Sequence, residues 1–176
     1  AAPVSGGTRM QEGTPAFVHM IRISEAVANH KAAGLPYLVY LRHPTTGGVM
    51  ASWGSLGHIT VAEPGALVGF LGPRVFEALY GKAFPPDVQT SENLYAHGIV
   101  DAVLPPRQLR AVASRVIAVA EARAGRIPPE PEPAPPGDRP AWDSVLISRR
   151  SGRPGVRTLL RHAAEDVTWL SGTGHG

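Results

Sequence analysis

The stretch Ser5-Gly6-Gly7-Thr8-Arg9-Met10-Gln11-Glu12-Gly13 has the composition of a backbone turn that opens a helix and binds an anion. Two adjacent glycines allow the main chain to approach a ligand closely. The N–H groups that follow would lie at the positive end of a helix, where negative charge is stabilised. We therefore expect this turn to stabilise an oxygen atom on which negative charge develops during a reaction.

A second glycine pair lies in the similar stretch Thr45-Thr46-Gly47-Gly48-Val49-Met50-Ala51-Ser52, which follows an apolar segment. Two such turns can offer N–H donors to one oxyanion, as enolate and acyl chemistry requires. We predict that Gly7 and Thr8 from the first turn, with Gly47 and Gly48 from the second, are catalytic through their backbone amides. The alternative is that both turns only connect strands to helices.

The composition is that of a globular protein with one substantial core. The chain has 176 residues, 43% of them hydrophobic, and a net charge of +3. Lysine and arginine are scattered rather than gathered on one helix, which disfavours a nucleic-acid partner and suits a ligand that carries phosphates. Cysteine is absent, so disulfides and thiolate metal sites within this chain are excluded.

The sequence predicts a cytoplasmic protein without a membrane partner. No apolar run reaches the roughly 20 residues that span a bilayer, and the first residues lack a basic segment followed by an apolar one. The seven histidines form no recognisable metal motif, so no metal site is predicted. Because Ala1 stands first and Gly6-Gly7 follows before a strand is complete, we expect the chain to begin inside a larger unit.

Hydrophobic periodicity predicts a layered α/β domain. The almost wholly apolar segment 35–41 suits a strand that is buried on both faces. Ser91 is the predicted N-cap of the helix that begins there. The predicted helices cover 14–33, 49–56, 74–80, 91–97 and 109–123, and the predicted extended segments cover 35–41, 59–63 and 66–70.

The chain divides into three predicted parts. Residues 1–127 form the α/β domain. Residues 128–140 contain seven prolines and almost no large apolar residue, which predicts an extended linker. Residues 141–176 have enough apolar positions for one or two helices but too few for an independent core.

Five motifs, in this order, resemble the carboxyltransferase β subunit of bacterial acetyl-CoA carboxylase. They are Ser5-Gly6-Gly7-Thr8-Arg9-Met10-Gln11-Glu12, Pro44-Thr45-Thr46-Gly47-Gly48-Val49, Ala62-Glu63-Pro64-Gly65-Ala66-Leu67-Val68-Gly69-Phe70, Gly72-Pro73-Arg74-Val75 and His97-Gly98-Ile99-Val100-Asp101. The resemblance implies a crotonase-like (ClpP/crotonase) α/β fold of repeated ββα units, incomplete here at the N-terminus. In that fold, two backbone N–H groups lie over a thioester carbonyl.

The resemblance also implies an activity and its partners. The substrates would be acetyl-CoA and carboxybiotin on a separate biotin carboxyl carrier protein, and the product would be malonyl-CoA for fatty acid biosynthesis. Residues 1–127 would be the C-terminal part of a β domain, and 141–176 would begin an α-subunit-like region of a fused β–α form. A carboxyltransferase α subunit or domain would complete the site.

Residues near the glycine turns are expected to hold the CoA thioester, namely Gly6, Arg9, Phe70, Gly72 and Pro73. Each has an alternative role, because Arg9 could pair with Glu12 and Phe70 could belong to the core. Thr8 and His58 stand where the family has a small residue and an acidic one, respectively. His58, Glu63 and Asp101 are more simply interpreted as hydrogen-bonding residues than as catalytic ones.

Two other functions stay open at this point. A non-catalytic assembly subunit of an acyl-CoA carboxylase would keep the fold without turnover. An enoyl-CoA hydratase or isomerase would require a carboxylate directed into the pocket near Met50, where the sequence has an apolar residue.

Overall fold

A computed structural model describes residues 1–7, 9–125, 140–164 and 167. These residues form two compact units, one within 1–120 and the other within 121–168. The helices are α1 (Thr14–Ala32), α2 (Pro73–Tyr80), α3 (Ser91–Ala96), α4 (Pro106–Gly125), α5 (Ala141–Ser148) and α6 (Val156–Ala163), and the strands are β1 (Leu38–Leu41), β2 (Thr45–Thr46), β3 (Ile59–Ala62), β4 (Val68–Gly69) and β5 (Ala102–Val103).

The first unit is built on a parallel sheet in the order β1-β3-β5. Val39 and Leu41 pack in a cluster on one face, and Tyr40 packs with Val116 of α4 in a cluster on the other. The sheet is therefore buried on both faces, as the apolar run predicted. The α/β class is confirmed, and the sheet is parallel.

A second parallel pair joins β2 to β4, with Thr45 opposite Val68. Ser5 forms a parallel bridge to Thr45 on the other side of β2. Ser5 and Thr46 each stand immediately before a glycine pair. Strand pairing therefore brings the two glycine turns side by side at the ends of neighbouring strands.

The predicted helix over 49–56 is wrong. Residues 47–52 form consecutive turns, and a short 3₁₀ helix covers Trp53–Ser55. The N–H groups of Ser52 and Gly54 both donate to the Val49 carbonyl, at 3.3 and 2.9 Å, so the chain folds back on that oxygen and the regular ladder is interrupted. A Cβ on Gly54 would be 2.7 Å from the Val49 oxygen, so this close approach requires glycine.

The predicted N-cap of α3 is also wrong by one residue. Thr90 has the extended backbone of a cap, and its Oγ1 accepts a hydrogen bond from the Asn93 N–H at 3.3 Å. The Ser91 hydroxyl instead accepts the Ala66 N–H at 3.1 Å. Ser91 is fully buried, so its hydroxyl binds the loop at Ala66 instead of capping the helix.

The second unit contains α5 and α6, both of which lie beyond residue 140. Linker residues 128–139 and the segment 168–176 lie outside the described residues. Within the described ranges, no helix has both the length and the apolar character needed to cross a membrane. Those ranges also contain no group of three or more His, Cys, Asp or Glu side chains placed to hold a metal ion.

Candidate active site

A cleft of about 770 Å³ lies in the first unit where the two glycine turns meet. Both turns, the N-terminal half of α1 and the segment from β4 into α2 contribute to it. The described residues that line it are Gly6, Gly7, Phe17, Met20, Ile21, Ser24, Thr46, Gly47, Gly48, Ala51, Ser52, Phe70, Leu71, Gly72 and Val75. None of these has a titratable side chain, so the walls offer backbone amides, hydroxyls and apolar groups.

The two glycine turns are in direct contact. The Thr46 N–H donates to the Ser5 carbonyl at 2.8 Å, which holds the strands leading into the turns together. A Cβ on Gly47 would be 3.2 Å from Gly7 Cα. Gly7 and Gly47 also have φ values of 125° and 69°, in a region that L-residues rarely adopt. Conformation thus favours glycine at both positions, and contact adds a requirement at Gly47 alone, because a Cβ on Gly7 would meet no atom within 4 Å.

The predicted amide donors have different hydrogen-bond partners in the structure. The Gly47 N–H donates to the Gly69 carbonyl at 3.0 Å and continues the β2–β4 ladder. The Gly7 N–H donates to Ser5 Oγ at 3.2 Å. These two amides therefore already have acceptors, which differs from the expectation that they face a substrate oxygen. Thr8 lies outside the described residues.

Among the three predicted donors that the structure describes, Gly48 differs from Gly7 and Gly47 in the hydrogen bonding of its amide. No described residue accepts a hydrogen bond from its N–H. Gly48 begins the turn in which the Ala51 N–H donates to the Gly47 carbonyl at 3.0 Å. The Ser52 hydroxyl donates to the Gly48 carbonyl at 2.6 Å and fixes the next peptide group of the same turn. The Gly48 amide is therefore held rigidly at the start of a helical turn that lines the cleft.

Apolar side chains from two segments of the chain line the cleft. Phe17 and Ile21 come from α1, whereas Phe70 and Val75 come from the segment around the start of α2. Phe70 is 66% exposed, so it is a surface wall and not a core residue. Apolar walls keep water away from a donor and strengthen its interaction with a developing charge.

Pro73 and Arg9 lie outside the described lining of the cleft. Pro73 begins α2 directly after Gly72 and lines a separate cavity of about 290 Å³. The Arg9 guanidinium is 3.6 Å from the Glu12 carboxylate, and both side chains are largely exposed. An exposed pair of this kind contributes little to stability, so Arg9 is free to exchange Glu12 for another anion.

The polar residues considered for catalysis have structural partners. His58 Nδ1 accepts the Tyr37 N–H at 3.0 Å, and burial, Lys31 and His30 together lower the pKa of its imidazole. Glu63 accepts the His43 N–H at 3.1 Å, and Asp101 accepts the Thr60 N–H at 2.8 Å. The described lining of the cleft contains none of these side chains.

Sequence reasoning missed Ser5 and Gly69 as parts of the site. Ser5 closes the first turn through its hydroxyl, and Gly69 holds the second turn through its carbonyl. Both residues stand inside the quoted motifs. The role of Gly69 depends on strand pairing between distant segments, which the motifs do not encode individually. The Ser5 hydroxyl accepts an amide only two residues away, so a local turn pattern could have indicated it.

Comparison with known proteins identifies a matching family and several similar proteins. The carboxyl transferase domain family matches residues 2–104. A Mycobacterium tuberculosis protein named "Probable biotin-dependent acyl-coenzyme A carboxylase beta3 subunit" is 61% identical over 176 residues, which is all of this chain and 36% of that protein. A Frankia alni protein named "Acetyl-coenzyme A carboxylase carboxyl transferase subunits beta/alpha" is 41% identical over 96% of this chain and 29% of its own length.

The chain spans about a third of the length of these relatives. Among solved structures, the Pseudomonas malonate decarboxylase MdcD-MdcE hetero-dimer resembles it with a TM-score of 0.53 and 23% identity, over 84% of this chain and 61% of that one. The malonate decarboxylase hetero-tetramer in complex with malonate also has a TM-score of 0.53, with 21% identity, over 92% and 60% of the two chains. At these identities the likeness shows the fold alone.

Proposed function

Because this chain belongs to the carboxyl transferase family, we propose that it transfers a carboxyl group from carboxybiotin to an acyl-CoA, with acetyl-CoA as the acceptor and malonyl-CoA as the product. The relatives named as acyl-CoA and acetyl-CoA carboxylase subunits support the substrate class. A role in fatty acid biosynthesis and a cytoplasmic location are part of the same proposal.

The observation that carries the proposal is the meeting of the two glycine turns. One turn approaches the other so closely that a single added carbon on Gly47 would be 3.2 Å from Gly7. At this contact the Gly48 N–H has no acceptor among the described residues. A fixed donor beside a cleft of about 770 Å³ is suited to an oxygen atom that becomes negatively charged.

The reaction requires such a donor. Loss of a proton from the carbon next to the thioester moves negative charge onto the thioester oxygen, and removal of one preorganised donor typically costs about 3 to 4 kcal/mol of barrier. We assign the backbone amides of Gly48 and Thr8 as the hydrogen-bond donors to this oxygen. Carboxybiotin would supply the carboxyl group: its N–C bond breaks, a C–C bond forms on the acyl group, and its ureido nitrogen takes the proton.

The composition of the cleft supports carboxyl transfer over hydration. Addition of water to an enoyl-CoA requires an acid and a base at the reacting carbons. The described lining contains no carboxylate or imidazole, and its side chains are apolar or hydroxyl-bearing. In carboxyl transfer the proton can go to the co-substrate, so a cleft without titratable groups is sufficient.

The same cleft fits a CoA thioester. A Cβ on Gly6 or Gly72 would meet no atom within 4 Å, so the backbone at both positions is open to a ligand. Phe70 would pack against the pantetheine arm. We propose Arg9, released from Glu12, as a contact for a CoA phosphate, and Pro73 as the residue that fixes the direction of the chain after Gly72.

We propose two protein partners, a carboxyltransferase α subunit or domain and a biotin carboxyl carrier protein. The Frankia alni relative is named for both subunits, β and α, in one polypeptide. The structural neighbours with this fold are a hetero-dimer and a hetero-tetramer.

Two substitutions at Gly48 test the assignment. The carboxylase complex containing this chain is assayed for transfer of labelled carboxyl from the biotin carrier to acetyl-CoA. Gly48→Pro removes the amide hydrogen and is expected to lower kcat by about 10²- to 10³-fold. Gly48→Ala keeps the amide hydrogen and is the matched control. Equal rates for the two variants would overturn the donor assignment.

A non-catalytic assembly subunit is the second candidate. It is favoured by the finding that the Gly7 and Gly47 amides are already occupied by internal acceptors. A complex that forms tightly with both partners but transfers no label to any acyl-CoA would support this candidate.

A further inference from the structure

Gln89 is hydrogen-bonded to a residue that lines the cleft. Its carbonyl accepts the Val68 N–H at 2.9 Å, which ties its backbone to β4. Its side-chain amide nitrogen, Nε2, donates to the Leu71 carbonyl at 2.7 Å. Leu71 lines the cleft, whereas Gln89 is not among the described lining residues. Any effect of Gln89 on a bound substrate must therefore pass through the main chain of 69–72.

The Gln89 side chain reaches Leu71 by crossing over Gly69. A Cβ on Gly69 would be 2.3 Å from Gln89 Cδ and 2.5 Å from Gln89 Oε1. Only glycine at this position leaves space for the side chain. The Gly69 carbonyl in turn accepts the Gly47 N–H at 3.0 Å. Gln89 thus lies against Gly69, whose carbonyl binds the second glycine turn.

The nitrogen and the oxygen of the Gln89 side-chain amide differ in their hydrogen bonding. Its oxygen, Oε1, is buried and has no hydrogen-bond partner within the described part of the chain. Rotating the amide by 180° would not help, because it would place that oxygen against the Leu71 carbonyl, which is also an acceptor. Buried polar atoms without a partner are rare in proteins. The Nε2 bond to Leu71 is therefore kept even though the other half of the amide is left unsatisfied.

From these contacts we infer that Gln89 is a positioning residue for carboxyl transfer, holding the 69–72 segment and, through Gly69, the Gly47-Gly48 turn in register with the cleft. This inference rests on the proposed function. Gln89 acts by keeping the Gly48 amide where the thioester oxygen will develop charge. Donor placement affects the transition state more than substrate binding, so its loss lowers kcat and leaves KM nearly unchanged.

The first test replaces Gln89 by methionine in the carboxylase complex. Gln89→Met has a similar length but cannot donate to the Leu71 carbonyl. We expect kcat for acetyl-CoA to fall by about tenfold or more, with KM changed less than about threefold. Gln108→Met is the matched control, because Gln108 is exposed on α4. It should leave both constants unchanged.

The second test uses pH to restore the donor. In Gln89→Glu the ionised carboxylate cannot donate to Leu71, whereas the protonated acid can. The activity of this variant relative to the unaltered complex should therefore rise as the pH is lowered. The relative activity of Gln89→Met should not rise, because methionine has no proton to gain. The same pH dependence for both variants would show that the hydrogen bond to the Leu71 carbonyl does not contribute to activity.

A readout that needs no turnover separates this inference from the proposed function. Hydrogen exchange at the Gly47 amide should become faster in Gln89→Met and stay unchanged in Gln108→Met. If the unaltered complex transfers no carboxyl group, the proposed function fails, and the Gly47 exchange rate still decides the positioning role. If Gln89→Met keeps the original kcat and the original Gly47 exchange rate, the inference is overturned.

Discussion

At the scale of single residues, Gly47 combines two requirements that can be separated by substitution. Its φ of 69° disfavours any side chain, and a Cβ would also meet the backbone of Gly7 at 3.2 Å. Gly65 has a nearly identical φ of 67° but no atom within 4 Å of a Cβ. The two glycines therefore form a matched pair in which only one contacts the cleft.

We expect Gly47→Ala and Gly65→Ala each to lower the free energy of unfolding by about 1 to 2 kcal/mol, because both positions have a left-handed backbone conformation. Only Gly47→Ala should also separate the two turns, and its kcat for carboxyl transfer should fall by about tenfold or more. Urea unfolding and the label-transfer assay measure the two effects. Equal activity in the two variants would show that contact between the turns does not matter for turnover.

His58 predicts a dependence of stability on pH. Its neutral imidazole accepts the Tyr37 N–H, and burial, with Lys31 and His30 nearby, lowers its pKa from the ordinary value of 6.5. The unfolded chain therefore binds the proton more readily than the folded one. The stability that His58 contributes is present above pH 6.5 and is lost as the pH falls through its lower, folded pKa.

In His58→Asn the amide oxygen can accept the same N–H without titrating. We expect the free energy of unfolding of this variant to fall less between pH 7 and pH 5 than that of the unaltered protein. Urea denaturation at several pH values within this range provides the measurement. Parallel pH profiles for the two proteins would contradict the assignment.

At the scale of elements, α3 depends on a cap outside its first residue. Thr90 Oγ1 accepts the Asn93 N–H and donates to the Asp87 carbonyl at 2.9 Å. Thr90→Ala should lower the free energy of unfolding by about 1 kcal/mol, as measured by urea denaturation. Thr90→Ser keeps the hydroxyl and should retain most of this stability. A loss of equal size in both variants would assign the effect to the threonine methyl group.

The elements also show where sequence patterns are sufficient. α1 follows its apolar periodicity and begins with Pro15 in its first turn, and Gly34, with a φ of 76°, follows its end. The segment 49–56 was predicted as a short helix that follows a glycine turn. The turn at Gly54 is set by packing on the Val49 carbonyl. Local propensity cannot encode that contact, because it arises only once the chain has folded back.

At the scale of the whole molecule, every buried hydrophobic residue found in the described chain lies between Val27 and Val116. A chain that ends after Gly125 keeps all of these residues and is the reference for the next comparison. A chain that ends after Pro105 lacks α4, whose Leu109, Val112 and Val116 pack on one face of the sheet. That loss should cost several kcal/mol, at about 1.5 to 3 kcal/mol for each fully buried side chain.

Thermal unfolding followed by circular dichroism compares the two shortened chains. The midpoint of the chain that ends after Pro105 is expected to lie far below that of the chain that ends after Gly125, or the shorter chain is unfolded. Equal midpoints for the two chains would mean that α4 does not stabilise the sheet.

The amino-acid sequence by itself determined the α/β class, most of the helices, the two glycine turns and the family to which the chain belongs. These follow from short-range patterns, because periodicity and glycine pairs act within a few residues. Only the tertiary structure decided that the Gly47 amide bonds to Gly69, whereas the Gly48 N–H has no acceptor among the described residues. The Gly7 amide bonds to Ser5 only two residues away, but the Gly47 bond required β2 and β4 to lie side by side. A backbone hydrogen bond depends on which distant strand is adjacent, and no local pattern specifies that neighbour.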